Sequence, residues 1–146
     1  MPLRAATIIG FDVVQTVPTE PGVYEVWLRG GRALKVGIAM SLRKRLTTHA
    51  ASRASGLKLK SGGKWTCPND VMSKQSVLTK HLFFDREYSS QYDLCSENDR
   101  RRFLVERCEI RYRTTRTREE ARAIERRLEK ESRYKYVGRV VHHVVR

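Results

Sequence analysis

No apolar run in this chain approaches the roughly 20 residues that a membrane-spanning helix needs, so no membrane partner is expected. Residues 1–10 carry a single arginine and no extended apolar stretch, so no secretory signal is expected and a cytoplasmic setting is. Cysteine is scarce. Cys67, Cys95 and Cys108 are odd in number, far apart and never in a Cys-x-x-Cys pair, which argues against a zinc ribbon or a disulfide framework. Idle thiols in a reducing compartment are the simpler reading. There is no internal repeat. Acidic residues are also short: 16 Asp and Glu face 30 Lys and Arg in 146 residues, leaving a formal net charge of +14.

That surplus on a chain of one-domain length attracts polyanions. Lysine and arginine contacts to phosphates release counterions, so any nucleic-acid binding is expected to weaken steeply with salt. Charge alone favours a nucleic-acid partner without saying which kind, and its plainer reading is a structural RNA binder or a basic surface with no ligand. Motifs must separate these.

Residues 7–17 read as a strand or short packed arm, ended by Pro18-Thr19-Glu20-Pro21. A hairpin follows. Gly22 to Leu28 is rich in β-branched and aromatic residues, Arg29-Gly30-Gly31-Arg32 is a turn, and Ala33 to Ile38 returns. The spacing predicts a helix from about Ser41 to Ser52, capped by Ser41. Residues 53–76 are polar and rich in Gly, Ser and Lys, reading as a loop or insertion. Lys80 to Phe84 is a short apolar segment of either type. Ser96 to Val105 reads as a short helix, and Cys108 to Thr114 alternates like a strand. Thr117 and Glu120 form a capping box that opens a helix to about Ser132. The Val-rich tail, Tyr136 to Arg146, suits a last strand or a homodimer contact. The expected fold is α+β, a small, mainly antiparallel sheet flanked by helices, in one domain over 1–146 with a basic insertion at about 53–100.

With Gly30 and Gly31 as the two turn residues, Leu28 faces Ala33, Val26 faces Lys35 and Tyr24 faces Gly37. Side chains alternate, so Tyr24, Val26, Lys35 and Gly37 share one face. Tyr24 and Lys35 are then diagonal neighbours, roughly 7–8 Å apart and within joint reach of one small ligand. In the first helix, Leu42, Arg45, Leu46 and His49 form one stripe. An inward guanidinium wants a carboxylate or a phosphate. In the last helix, Ala121, Ile124, Glu125 and Leu128 form the inward stripe, with Arg118, Arg122, Arg126, Glu129 and Lys130 largely off it. A core-facing carboxylate needs a cation: Arg45, Lys35 or a magnesium ion, which prefers oxygen ligands. Each residue also has a plainer reading, Tyr24 as a strand aromatic and Glu125 as half of a structural ion pair.

Taken in order, these segments resemble the GIY-YIG nucleases. Gly22-Val23-Tyr24 is similar to the GIY element, and Lys35-Val36-Gly37, beginning eleven residues after Tyr24, to the YIG element. Ser41-Leu42-Arg43-Lys44-Arg45-Leu46 resembles the family's N-L-x-x-R-L helix, and Glu125 its metal-binding glutamate. The match spans residues 21–49 and 117–132. The resemblance implies hydrolysis of a DNA phosphodiester with one divalent metal, Mg²⁺ or Mn²⁺. Tyr24 would deprotonate or orient the attacking water. Arg45 would stabilise charge on the phosphoryl oxygens, and Glu125 would hold the metal. His49 matches a histidine one turn after the arginine in some branches.

Lys35 stands where most of the family has tyrosine, as it does in some restriction-type and phage-type branches. A lysine there can act as base or hold a phosphate. Residues 133–146 contain no Asn in place of the family's late polar residue, so that contact either comes from elsewhere, for instance Asn69 or Asn98, or is absent. The leading expectation is a Mg²⁺-dependent DNA endonuclease, restriction-type or mobile-element-associated. The alternative is a nuclease-like domain that binds nucleic acid without cutting it.

Overall fold

The computed structural model describes residues 3–51, 56–73, 76–131 and 134–138. Six strands and five helices follow in order: β1 (Thr7–Gly10), β2 (Gly22–Leu28), β3 (Ala33–Ala39), α1 (Leu42–Ala50), β4 (Leu57–Leu59), β5 (Val71–Ser73), α2 (Val77–Phe84), α3 (Arg86–Tyr92), α4 (Glu97–Arg107), β6 (Cys108–Thr114) and α5 (Arg118–Glu131). A four-stranded sheet runs β1-β6-β2-β3, antiparallel throughout. The fold is α+β, with helices on both sheet faces. No helix among the described residues is long and apolar enough to cross a membrane.

Local chemistry explains the helix ends. Ser41 accepts from the Lys44 amide at 3.4 Å, Ser96 from Asp99 at 3.0 Å, and Thr117 from Glu120 at 3.1 Å. Glu120 reaches back past Thr117 and accepts from the Arg116 amide, a variation on the reciprocal cap. The arm before the hairpin is split: β1 pairs with β6, and Phe11–Thr16 turns into a 3₁₀ helix.

The hairpin differs from the expected register at its tip. Tyr24 faces Gly37 and Val26 faces Lys35, but Ala33 pairs with Trp27 across a bulge, not with Leu28. The Leu28 amide bonds the Arg32 carbonyl and Gly31 returns to the Leu28 carbonyl. The loop is thus longer than two residues, and Leu34 is the extra residue on its strand. The face carrying Tyr24, Val26, Lys35 and Gly37 is unaffected, because the bulge lies beyond them. The stretch read as loop at 53–76 contains a second sheet, β4 paired with β5. Helix α3 lies in a stretch to which the sequence assigned no element.

Two clusters of buried side chains flank the four-stranded sheet. One joins Tyr24, Val26 and Leu34 to Leu42 and Leu46 of α1 and to Leu78, Leu82, Phe103 and Leu104 of α2 and α4. The other joins Val23, Ala33 and Val36 to Ala121, Ile124 and Leu128 of α5. Val23 and Tyr24 are consecutive strand residues, so the clusters lie on opposite faces. Helices α1 and α5 therefore cover different sides of the sheet, both lying over β2 and the edge strand β3.

The segment after α5 closes part of that edge. The Lys135 and Tyr136 amides bond the Ala33 and Leu34 carbonyls at 3.2 and 2.8 Å. Its two tyrosines go to opposite faces, and each hydroxyl ends on a buried carboxylate. Tyr136 donates to Asp85 at 2.6 Å, and Tyr134 donates to Glu25. Glu25 also accepts from the Leu3 amide at 3.2 Å and from Trp27 Nε1 at 3.1 Å. A wholly buried carboxylate is tolerable only with such donors. The rest of the tail, 139–146, read as a strand or dimer contact, lies outside the described residues.

Candidate active site

The site forms where the β3 edge lets side chains from both faces meet. Tyr24 on β2 is the floor, 1% exposed, and His49 from α1 is fully buried beside it. Lys35, Arg45 and Glu125 are each partly exposed and form the rim.

Close backbone approach makes this geometry. A Cβ at Gly37 would lie 2.5 Å from the Tyr24 hydroxyl, so only glycine leaves room for that ring. A Cβ at Gly22 would lie 2.4 Å from the Arg113 carbonyl and 2.5 Å from a Leu42 methyl, so glycine there seats α1 against the sheet. The two glycines of the paired motifs thus serve packing around Tyr24.

The Tyr24 hydroxyl is 2.8 Å from His49 Nε2, with the rings edge to face at 5.5 Å. His49 Nδ1 is 2.8 Å from Ser76 Oγ. Both ring nitrogens of His49 are therefore engaged inside the protein. Burial, with Arg45 and Lys35 nearby, pushes its pKa down to about 3, so the imidazole is neutral at ordinary pH. Burial raises the Tyr24 pKa and the Glu125 charge adds to that, while the Arg45 guanidinium opposes it through its charge and a hydrogen bond to the phenol.

The rim groups act on one another. Burial lowers the Lys35 pKa and Arg45 pushes the same way, against the acidic pull of Glu129 and Glu125. Burial raises the Glu125 pKa and Glu129 adds to it, while Arg122, Lys35 and Arg118 oppose. Tyr24, Lys35, Arg45, His49 and Glu125 are thus joined in one electrostatic group. The helices bearing Arg45 and Glu125 approach from opposite sides of the sheet, which the stripes alone do not reveal.

Two residues escape the sequence reading. The stripe on α5 leaves Glu129 outside, yet it is partly buried and is the strongest acidic influence on Lys35. Its spacing of four from Glu125 is the available signal. Ser76, 27 residues from His49, has no local signal. Neither asparagine substitute enters this group: Asn69 lines a cleft with Lys60 and Lys80, and Asn98 is exposed on α4.

Among the described residues, no group of three or more His, Cys, Asp or Glu is arranged to hold a metal. A transition-metal cage is therefore not offered here. Magnesium asks for less: it keeps several waters and takes one or two carboxylates. Glu125 and Glu129, hard oxygen donors one helical turn apart at a partly exposed rim, fit that requirement.

No family model matches the chain, and no curated protein matches it. Among solved structures, the chain is similar to the GIY-YIG N-terminal endonuclease domain of UvrC from Thermotoga maritima, a point mutant bound to its catalytic divalent cation. Identity is 18% over 88% of this chain and 93% of that one, with a TM-score of 0.47.

Proposed function

We propose that this protein is a divalent-metal-dependent DNA endonuclease of the GIY-YIG type that hydrolyses a phosphodiester bond. The observation that carries the reading is the meeting of a phenol, a guanidinium, an ammonium with lowered pKa and a carboxylate at one sheet edge. A structural ion pair needs two charged groups, not three around a buried tyrosine. The net charge of +14 suits a polyanionic substrate.

Each side chain has a role set by its surroundings. The Tyr24 hydroxyl lies between His49 and Arg45 and orients the attacking water. Arg45 presents fixed positive charge to the non-bridging oxygens, where negative charge grows during displacement. Lys35 holds a phosphate oxygen as a compact cation. Glu125, together with Glu129, would hold Mg²⁺ or Mn²⁺. When bound, that ion supplies Lewis-acid stabilisation of the leaving oxygen. His49, closed off from the site by Tyr24, positions the phenol.

The second sheet supplies substrate contacts. A cleft of about 350 Å³ between β5 and α2 is lined by Lys60, Asn69, Ser73 and Lys80, with Val71, Met72 and Val77 as apolar walls. Its wall at Val77 adjoins Ser76, the partner of His49. A DNA backbone engaged at the β3 edge would have its flanking phosphates there. One copy holds one site, so cutting both strands would take a homodimer or two engagements.

The test is plasmid nicking with and without Mg²⁺, beside Glu125→Ala. Metal-dependent nicking by the wild type, lost in the variant while DNA binding persists, is expected. Binding without any metal-dependent cleavage, across plasmid and short duplex substrates, overturns the enzyme reading and leaves a nucleic-acid binder.

A further inference from the structure

Ser76 occupies the N-cap position of α2 but does not cap it. Its side chain makes no bond to that helix, whereas Ser41, Asp85 and Ser96 each accept from an amide of their own helix. A serine at this position ordinarily stabilises its helix by accepting from a first-turn amide. Here the hydroxyl is instead 2.8 Å from His49 Nδ1, and Ser76 is 2% exposed. A group diverted from its local use is held for a longer-range one.

Hydrogen-bond accounting gives the direction. Neutral imidazole has one N–H and one acceptor nitrogen, and burial with two nearby cations keeps His49 neutral. In one arrangement Nδ1–H donates to Ser76 and Tyr24 donates to Nε2. The Ser76 proton then has no acceptor among the described residues, and a buried unspent donor is costly. In the other, Ser76 O–H donates to Nδ1, and Nε2–H donates to the Tyr24 oxygen. That oxygen also receives the Arg45 guanidinium, and the phenol proton turns to the rim, where the Glu125 carboxylate is the acidic group that acts on it.

We propose that Ser76 is a positioning residue that locks His49 as its Nε2–H tautomer, so that His49 and Arg45 both donate to the Tyr24 oxygen. Two donors stabilise negative charge on that oxygen and offset part of its burial. They also leave its O–H as a donor aimed at the space between Lys35, Arg45 and Glu125. Through Ser76 and the His49 ring, the segment between α1 and β6, which bears the Lys60–Lys80 cleft, is linked to Tyr24. The consequence for cleavage rests on the nuclease reading; the tautomer does not.

The experiment is long-range ¹H–¹⁵N spectroscopy of the His49 ring in the full chain at neutral pH, on wild type, Ser76→Ala and Ser76→Thr. An unprotonated Nδ1 and a protonated Nε2 are expected in wild type and Ser76→Thr, with the ring shifted toward Nδ1–H in Ser76→Ala. A wild-type Nδ1–H ring, or a tautomer unmoved in Ser76→Ala, overturns the proposal. Should Ser76→Ala fail to fold by circular dichroism, the wild-type spectrum still decides. In nicking assays, Ser76→Ala is expected to lower kcat about 10- to 100-fold, the range known for partners that orient metal-bound histidines. DNA affinity should be unchanged and Ser76→Thr should restore the rate. No cleavage by wild type, with the Nε2–H tautomer present, would fault the nuclease reading and leave the Ser76 lock standing.

Discussion

Gly37 lies directly opposite Tyr24 on the neighbouring strand, and a methyl group on it would come within 2.5 Å of the hydroxyl and 2.6 Å of the ring carbon that bears it. Gly37→Ala must push the ring aside, and the ring cannot move without losing its place between His49 and Arg45. A displacement of about 1 Å at a reacting group is enough for a roughly 100-fold loss of rate. Nicking is therefore expected to fall by about that factor, while circular dichroism still reports a folded α+β chain. Wild-type activity in Gly37→Ala would show that the Tyr24 position does not matter.

Much of this was legible because it is local. Alternation along the hairpin placed Tyr24, Val26, Lys35 and Gly37 on one face, and Ser41, Ser96 and Thr117 marked helix starts. What sequence spacing cannot carry is depth and handedness of packing. It showed the inward stripes of α1 and α5 but not that they lie on opposite faces, so the meeting of Arg45 and Glu125 depends on β3 being an edge strand. Glu129 was misjudged for the same reason: a helix lying over an edge presents a wider arc to the site than one lying over a sheet centre. Strands of three residues, as in β4 and β5, are too short for alternation to register. The Ser76–His49 contact spans residues that nothing in the chain links.

The neutral His49 has a cost in acid. Its folded pKa, about 3, lies below its usual 6.5. The unfolded chain therefore binds a proton between these values that the folded chain refuses. Its contribution is fully present above pH 6.5 and is lost as pH falls toward 3, with a slope of up to about 1.4 kcal/mol per pH unit. Urea unfolding of wild type and His49→Gln between pH 7 and 5, above most carboxylate titration, should show the slope in wild type and not in the variant. Parallel slopes would mean that His49 takes up a proton in the folded state.

Glu129 raises the pKa of both Lys35 and Glu125. Glu129→Gln removes that influence from both, so each pKa falls. A carboxylate that must be ionised to hold metal sets the acid limb of the rate profile, and a cationic phosphate holder sets the alkaline limb. Both limbs are expected to move to lower pH in Glu129→Gln, measured as single-turnover nicking against pH. The metal concentration for half-maximal rate should rise if both carboxylates face the ion. Limbs that stay in place would remove Glu129 from the site.

The cleft of Lys60, Asn69, Ser73 and Lys80 makes a separate prediction, because it concerns binding rather than chemistry. A lysine on a phosphate contributes through counterion release, whatever the base sequence. Lys60→Ala should weaken binding to unrelated duplexes by similar factors. It should also flatten the plot of log affinity against log salt by about 0.9, the contribution of one phosphate contact. Fluorescence anisotropy over a salt series, with Mg²⁺ omitted to prevent cutting, measures both. Arg101→Ala, on an exposed position of α4 outside the cleft, removes the same charge and should leave the slope unchanged. An unchanged slope in Lys60→Ala would remove the cleft from the DNA path. A loss confined to one duplex sequence would mean that Lys60 reads a base edge instead of a phosphate.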